Sequence, residues 1–223
     1  MKILAIDTAA NLCAACIFDT QAGELGRAVH DLGKGHAEHL MSTIDEALAA
    51  ANSGYADLGL IAVSVGPGSF TGIRVGVAAA RGLALALGIP SVGVTTLDAM
   101  AAEAWRNFAG KGLLAAIDAR REQIYVAVFD ISGKRTFGPT IAKLDEAAGM
   151  LATDMVLTGS AAEMIAGQAG REVAIAATDA TADIAVYAEL AAGMDTASGP
   201  PRPLYLRSAD AKPQQGFAVE RQA

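Results

Sequence analysis

The chain has 223 residues, a formal net charge of −7 and a hydrophobic content of 52%. This length suits one compact body or two small lobes, and the apolar content is enough for a sizeable core. Asp7, Arg74, Arg81 and Asp118 interrupt the apolar runs before these reach membrane-spanning length. The negative charge opposes unspecific binding to phosphate backbones, so direct nucleic-acid binding is disfavoured. The first apolar run is too short for a secretory signal core, and we expect a cytoplasmic protein with no membrane span.

The first elements in chain order are two strands joined by a polar turn, at 2–7 and 13–19, which predict a hairpin. Apolar residues at helical spacing predict an amphipathic helix over 36–51. A run rich in branched residues at 60–65 predicts a buried strand. It leads into a glycine-rich loop and a long helix that ends near Leu87.

A strand over 91–94 and a helix capped by Thr95 or Thr96 follow the long helix. We place the end of an N-terminal lobe after this helix, which gives a first lobe of 1–105. The partner-binding helices proposed below belong to this lobe.

The C-terminal lobe and tail, 106–223, open with a repeat of the first theme, because strands are predicted at 113–118 and 123–130. This weak internal duplication suggests two related lobes. A strand over 155–157 followed by a turn and a helix is predicted next, and a final helix is predicted over 184–192. The polar tail from Lys212 has the composition of a poorly ordered segment.

The glycine-rich loop at 66–72 has the sequence Gly-Pro-Gly-Ser-Phe-Thr-Gly. Gly68 and Gly72 permit tight backbone turns, Thr71 is a candidate helix cap, and Ser69 lies between them. Such a loop can bind a phosphate or another anion at the helix start. It can equally serve only as a sharp turn between a strand and a closely packed helix, and the residues alone do not decide between these alternatives. No lysine follows the last glycine, so this is not a Walker A loop.

Two aspartates, Asp7 and Asp118, end equivalent strands of the two repeats. In two-lobed ATPases of the actin and sugar-kinase type these positions hold phosphates and magnesium. Thr8 follows Asp7, but Asp118 is followed by bulky charged residues where phosphate approach needs small ones. We therefore interpret the two aspartates as turn-stabilising remnants of a nucleotide site, with weak nucleotide binding at most and no catalytic residue.

The sequence offers two weak candidates for metal or redox chemistry. Cys13 and Cys16 lie three apart on a predicted strand and therefore point to opposite faces, which favours buried free thiols. His36 and His39 share a helix face, but no third ligand accompanies them. No metal site is predicted.

The long helix is apolar on nearly all sides, which predicts either burial within one subunit or an apolar face for a second protein chain. We favour the second alternative. Arg74 and Arg81 share a face, as do Glu38 and Asp45 on the preceding helix. We expect these charges to border the contact and to orient the partner.

Several segments together resemble one family. They are residues 3–8 (Ile-Leu-Ala-Ile-Asp-Thr), residues 66–76 (Gly-Pro-Gly-Ser-Phe-Thr-Gly-Ile-Arg-Val-Gly), residues 116–120 (Ala-Ile-Asp-Ala-Arg) and residues 205–207 (Tyr-Leu-Arg). In this order, over nearly the whole chain, they are similar to the TsaB family of tRNA threonylcarbamoyladenosine biosynthesis proteins, of the YeaZ type and glycoprotease-like.

The resemblance implies an α/β, two-lobed actin-like ATPase (ASKHA, ribonuclease H-like) fold with duplicated β-sheet lobes flanked by helices. It also implies a non-catalytic protein that activates the TsaD transferase, with TsaE as a third partner, a homodimer in isolation, and tRNA contacted only through the complex. The HxxxH metal motif of TsaD has no counterpart in this sequence, where residues 95–101 contain no histidine.

The family's partner surface is carried over to the two first-lobe helices. The interface candidates are Leu40, Ile44, Leu48, Arg74, Val75, Ala79, Arg81 and Leu83. The alternatives are an ATP-dependent kinase of the same fold, a metalloprotease, and a homodimer that binds nucleotide as a signal. The first lacks glycines after Asp118, and the second lacks metal ligands.

Overall fold

The computed structural model describes residues 1–207, and the predicted tail from Lys212 lies outside the described residues. Two five-stranded mixed sheets and their flanking helices form the fold. The elements are β1 (Lys2–Asp7), β2 (Leu12–Asp19), β3 (Gly23–Asp31), α1 (His36–Ala50), β4 (Leu58–Ser64), α2 (Phe70–Leu87), β5 (Ser91–Val94), α3 (Thr96–Trp105), β6 (Leu113–Asp118), β7 (Ile124–Phe129), β8 (Arg135–Ala142), α4 (Leu144–Gly149), β9 (Val156–Thr158), α5 (Ala162–Ala169), β10 (Ile175–Ala177) and α6 (Ile184–Ala192).

The two sheets have the same topology. The first has the order β3-β2-β1-β4-β5 and the second, in the same sense, β8-β7-β6-β9-β10. In each sheet the first three strands form an antiparallel meander and the last two are added in parallel. Helices follow the third, fourth and fifth strand of each copy. The predicted duplication is confirmed, and the fold is a two-lobed α/β fold.

The helices lie in three layers around the two sheets. α1 and α2 cover the outer face of the first sheet, where Leu4 and Ile61 pack with Ile44 and Ile73. α4 and α5 cover the outer face of the second sheet around Leu114. α3 and α6 lie between the sheets and share one core with both.

The two middle helices cross over. α3 belongs to the first half of the chain but packs mainly on β6, β7 and β9, whereas α6 belongs to the second half and packs on β1, β2, β4 and β5. A division at 105/106 separates the two sheets along the chain, but it assigns each middle helix to the lobe that it does not cover. The division therefore stays a prediction.

The strand that carries both cysteines is buried on its two faces. Cys13 packs in the core beneath α1, and Cys16 packs in the core between the sheets. Both are free thiols, as expected from their spacing. Burial raises the pKa of Cys16 to about 12, so this thiol is unreactive at neutral pH.

Most of the predicted elements are present, but several of the observed elements were not predicted. The strands β3, β8 and β10 and the short helix α4 were not predicted. β3 and β8 are edge strands with largely exposed or half-exposed residues, so the hydrophobic alternation that marks a strand is weak in them.

α2 is the one helix within residues 1–207 that is long and apolar enough to cross a membrane by composition. It is instead an outer helix of the first lobe, packed on β4, β1 and β5, and its charged Arg74 and Arg81 are exposed. This packing indicates a soluble α/β fold.

Candidate functional site

A cavity of about 840 Å³ lies between the two lobes. Its first wall is the glycine-rich loop with the first turn of α2, and its second wall is the turn between β6 and β7. Residues 204–207 pass over it. The lining includes Ala9, Gly68, Ser69, Phe70, Arg74, Asp118, Arg120, Tyr125, Tyr205 and Arg207. Three of these side chains are guanidinium groups, so the lining is positive in an otherwise acidic protein.

Close packing accounts for the glycines of the loop. A Cβ at Gly68 would lie 2.2 Å from the carbonyl oxygen of Ala9, and one at Gly72 would lie 1.9 Å from that of Thr8. At Gly76 it would lie 2.6 Å from Thr8 Oγ1. Only glycine allows α2 to approach the β1–β2 turn this closely. The geometry favours the sharp-turn alternative for this loop, and anion binding remains a proposal.

The first turn of α2 is fixed by side-chain hydrogen bonds. Ser69 is the N-cap, and its Oγ accepts from Gly72 N at 3.2 Å. Thr8 Oγ1 donates to Gly72 O at 2.7 Å. The prediction that Thr71 caps this helix is wrong, because Thr71 is the second residue of the helix and is exposed.

Asp7 is buried beneath the cavity and does not line it. One carboxylate oxygen accepts from Ala9 N at 2.9 Å, and the other accepts from the Thr181 hydroxyl. Burial raises its pKa, and the hydrogen bonds from Thr181 and Ala9 oppose this shift in part. Both oxygens are therefore engaged by the protein, which fits a turn-stabilising role.

The contact with Thr181 extends into a buried polar network that sequence reasoning missed. The hydroxyl oxygens of Thr181 and Tyr187 lie 2.7 Å apart. Because the only hydroxyl proton of Thr181 is donated to Asp7, Tyr187 is the donor in this second hydrogen bond. Burial, followed by the nearby Asp7 charge, raises the pKa of Tyr187. Tyr187 lies on α6, so this network joins the strand-end carboxylate of the first lobe to a helix from the second half.

Asp118 occupies the equivalent position in the second lobe but is only partly buried. Its carboxylate accepts from Arg120 N at 2.8 Å and lies 3.4 Å from the Arg120 guanidinium. Arg120, Arg121 and Glu122 all have positive φ, of 62°, 55° and 58°. Three successive side-chain-bearing residues in this region make a strained turn. The turn after Asp118 is therefore built from bulky charged residues, of which the Arg120 side chain is largely exposed.

The sequence-predicted partner residues divide between the core and the surface. Leu40, Ile44 and Leu48 are 2%, 0% and 4% exposed and pack under α1 against the first sheet. Their expected orientation toward a partner is wrong, because the apolar stripe of an amphipathic helix faces its own sheet.

On α2 the predicted residues lie at or near the surface. Val75, Ala79 and Leu83 are half-buried, and Arg81 is exposed. Sequence reasoning missed Leu85, which is 86% exposed in the same helix. Arg74 is exposed but turned to the cavity, where its guanidinium stacks on Phe70.

The histidine pair does not form a metal site with other groups. Within residues 1–207, no set of three or more His, Cys, Asp or Glu side chains is placed to hold a metal. His36 is buried, and its Nε2 has no hydrogen-bond partner among these residues. His39 lies exposed on the same helix.

Two lobes of identical topology, joined across a cleft, define the class of two-lobed α/β proteins with an actin-like ATPase fold. A structure from Pseudomonas aeruginosa, described as an uncharacterized protein with similarity to peptidase YEAZ, matches 92% of this chain and 99% of its own at a TM-score of 0.77 and 24% identity. The structure of YeaZ from the same organism matches 86% and 92% at a TM-score of 0.70 and 25% identity.

The sequence comparisons name the family. Residues 30–202 match the family model of TsaD, tRNA N6-adenosine threonylcarbamoyltransferase. The Escherichia coli protein named tRNA threonylcarbamoyladenosine biosynthesis protein TsaB is 36% identical over 58% of this chain and 55% of its own. The matched part spans somewhat over half the length of the curated relatives. The chain belongs to the TsaD family and is of the TsaB/YeaZ type within it.

Proposed function

We propose that this protein is a non-catalytic subunit of the machinery that makes threonylcarbamoyladenosine on tRNA. It binds the transferase TsaD and holds it in its active form, in the cytoplasm. The names of its relatives support the pathway. The observation that carries the subunit role is the outer face of α2, where Leu85 is 86% exposed beside the exposed Arg81.

The state of the cleft supports the non-catalytic part of the proposal. Both oxygens of Asp7 are already hydrogen-bonded within the protein, and Asp118 is paired with Arg120. Asp7 is buried and does not line the cavity, and the Arg120 guanidinium would compete with a magnesium ion for the carboxylate of Asp118. The net charge of −7 also favours contact with tRNA through a basic partner.

The surface of α2 suits a protein contact. Half-buried Val75, Ala79 and Leu83 form an apolar stripe along one edge of its exposed surface, and Leu85 lies toward the other edge, beside Arg81. A leucine that becomes fully buried in a contact contributes about 2 kcal/mol. We propose that TsaD and a second copy of this chain use this same face, so that a homodimer in isolation gives way to the complex. TsaE is proposed to join the pair.

The test is formation of threonylcarbamoyladenosine on tRNA by cognate TsaD, TsaE and the adenylate-forming enzyme, with and without this protein. Modification should require the wild-type chain and fall at least about tenfold with Leu85→Asp, because a charge would enter an apolar contact. Ile131→Asp is the matched control, since Ile131 is 70% exposed on a turn of the other lobe, and it should retain full activity.

Two results would count against the proposal. Full modification without this chain would exclude a required subunit. Loss of modification in Asp118→Ala, with TsaD binding intact, would show that the cleft carries chemistry.

Weak nucleotide binding in the cleft is a separate proposal. Arg74, Arg120 and Arg207 line the cavity and supply positive charge for phosphates. Calorimetric titration of ATP into the isolated protein should give weak binding that Arg120→Ala reduces. Absence of heat at millimolar ATP would remove this proposal and leave the subunit role intact.

A further inference from the structure

The last described residues, 204–207, run across the cleft from the first lobe to the second. Leu204 N donates to Val65 O at 2.8 Å, directly after the end of β4. Three residues later, Arg207 contacts the turn between β6 and β7. This short segment therefore contacts both walls of the cavity.

The first anchor of the segment is aromatic. The ring centroids of Tyr205 and Phe70 lie 5.4 Å apart, and the Arg74 guanidinium lies 3.7 Å from the Phe70 centroid. Arg74 Nε also donates to the Tyr205 hydroxyl at 2.7 Å. Both rings remain about half exposed, so this contact adds little to the core of the lobe. Its effect is to attach the segment to the first turn of α2.

The second anchor is the guanidinium of Arg207. It donates through Nε to Gln123 Oε1 at 2.8 Å and through Nη2 to Arg120 O at 3.2 Å. Arg120 begins the run of three residues with positive φ. Such a backbone persists only where neighbouring groups hold it. A planar guanidinium presents its donors in a fixed fork and can therefore hold a side-chain amide and a carbonyl in a defined geometry.

We propose that residues 204–207 form an interlobe clasp, which fixes the angle between the two lobes and closes the cavity between them. Tyr205 fastens it to α2, and Arg207 fastens it to the β6–β7 turn. The Tyr-Leu-Arg motif thereby receives a role that the proposed partner contact does not explain. The inference does not depend on the proposed function, because it concerns the geometry of the isolated chain.

The experiment measures the distance between the lobes in the full chain. Spin labels at Ala49→Cys on α1 and Glu163→Cys on α5 lie on exposed sites of the two outer layers. The native Cys13 and Cys16 are buried and stay unlabelled. Double electron–electron resonance should give one narrow distance distribution for the labelled protein that carries no further substitution.

In Arg207→Ala we expect a second, longer distance, with the open population raised about tenfold or more because hydrogen bonds to a charged donor are lost. Tyr205→Phe keeps the ring but loses the hydroxyl acceptor, so it should give a smaller change in the same direction. Arg171→Ala is the matched control. Arg171 also donates to backbone carbonyls, but those of Leu151, Ala152 and Thr153 lie within one lobe.

The distribution of Arg171→Ala should match the native one. If Arg207→Ala loses its circular dichroism signal, Gln123→Ala decides the matter, since it removes the acceptor and leaves the arginine. An unchanged distance distribution in the folded variants of Arg207 and Gln123 would overturn the clasp.

Discussion

The substitution Gly72→Ala tests whether the glycine-rich motif exists for close packing. The new Cβ would lie 1.9 Å from Thr8 O, whereas ordinary contact begins at 3.4 Å. The helix and the β1–β2 turn would have to separate by roughly 1.5 Å. This also removes the hydrogen bond from Thr8 to Gly72 O.

The magnitude follows from three contributions. Overpacking costs about 1–3 kcal/mol, and the lost hydrogen bond costs about 1 kcal/mol. The better helix propensity of alanine returns about 1 kcal/mol. A net loss of about 1–3 kcal/mol lowers Tm by roughly 3–10 °C in a chain of this size.

Gly82→Ala is the matched control in the same helix. A Cβ at Gly82 meets nothing within 4 Å, so this change should raise Tm by roughly 1–4 °C. Thermal unfolding followed by circular dichroism measures both variants. If Gly72→Ala melts at or above the wild-type Tm, close packing does not explain the motif.

Two further predictions concern the buried groups. Ile44→Ala should lower the free energy of unfolding by about 2–5 kcal/mol in urea titrations, because the Ile44 side chain on α1 is fully buried against the sheet. Met41→Ala, on the exposed side of the same helix, should change it little. Equal effects of the two substitutions would contradict the buried position of Ile44. Because burial raises the folded-state pKa of Asp7 above 3.8, wild-type stability should fall relative to Asp7→Asn as the pH rises through the interval between the unfolded and folded pKa values. Urea unfolding from acid to neutral pH measures this difference, with exposed Asp154→Asn as the control for removing one negative charge; a difference that grows with pH in favour of wild type would contradict the assigned direction.

The sequence predicted the central strands of each sheet well, because β1, β4 and β6 are buried runs of apolar residues. It failed at β3 and β8, whose place in the sheet depends on pairing with a neighbour and not on their own pattern. The positions of Asp7 and Asp118 at equivalent strand ends were also predictable from the repeat.

Side-chain direction was harder to predict. Helical spacing shows that Leu40, Ile44 and Leu48 share a face, but the decision between core and partner depends on the sheet beneath them. Thr181 and Tyr187 lie far from Asp7 in sequence, so no local pattern links them. The same holds for Arg207 and Gln123, which meet only in the folded chain.

The crossing of α3 and α6 bears on how the chain is made. As the first half leaves the ribosome, it can form its sheet and cover the outer face with α1 and α2. The inner face, with Ile3 and Leu60, stays bare until Ile184–Ala192 has been synthesised. A ribosome that stalls before that point would hold a nascent chain with an open apolar surface, which makes chaperone binding to such stalled chains the expected result.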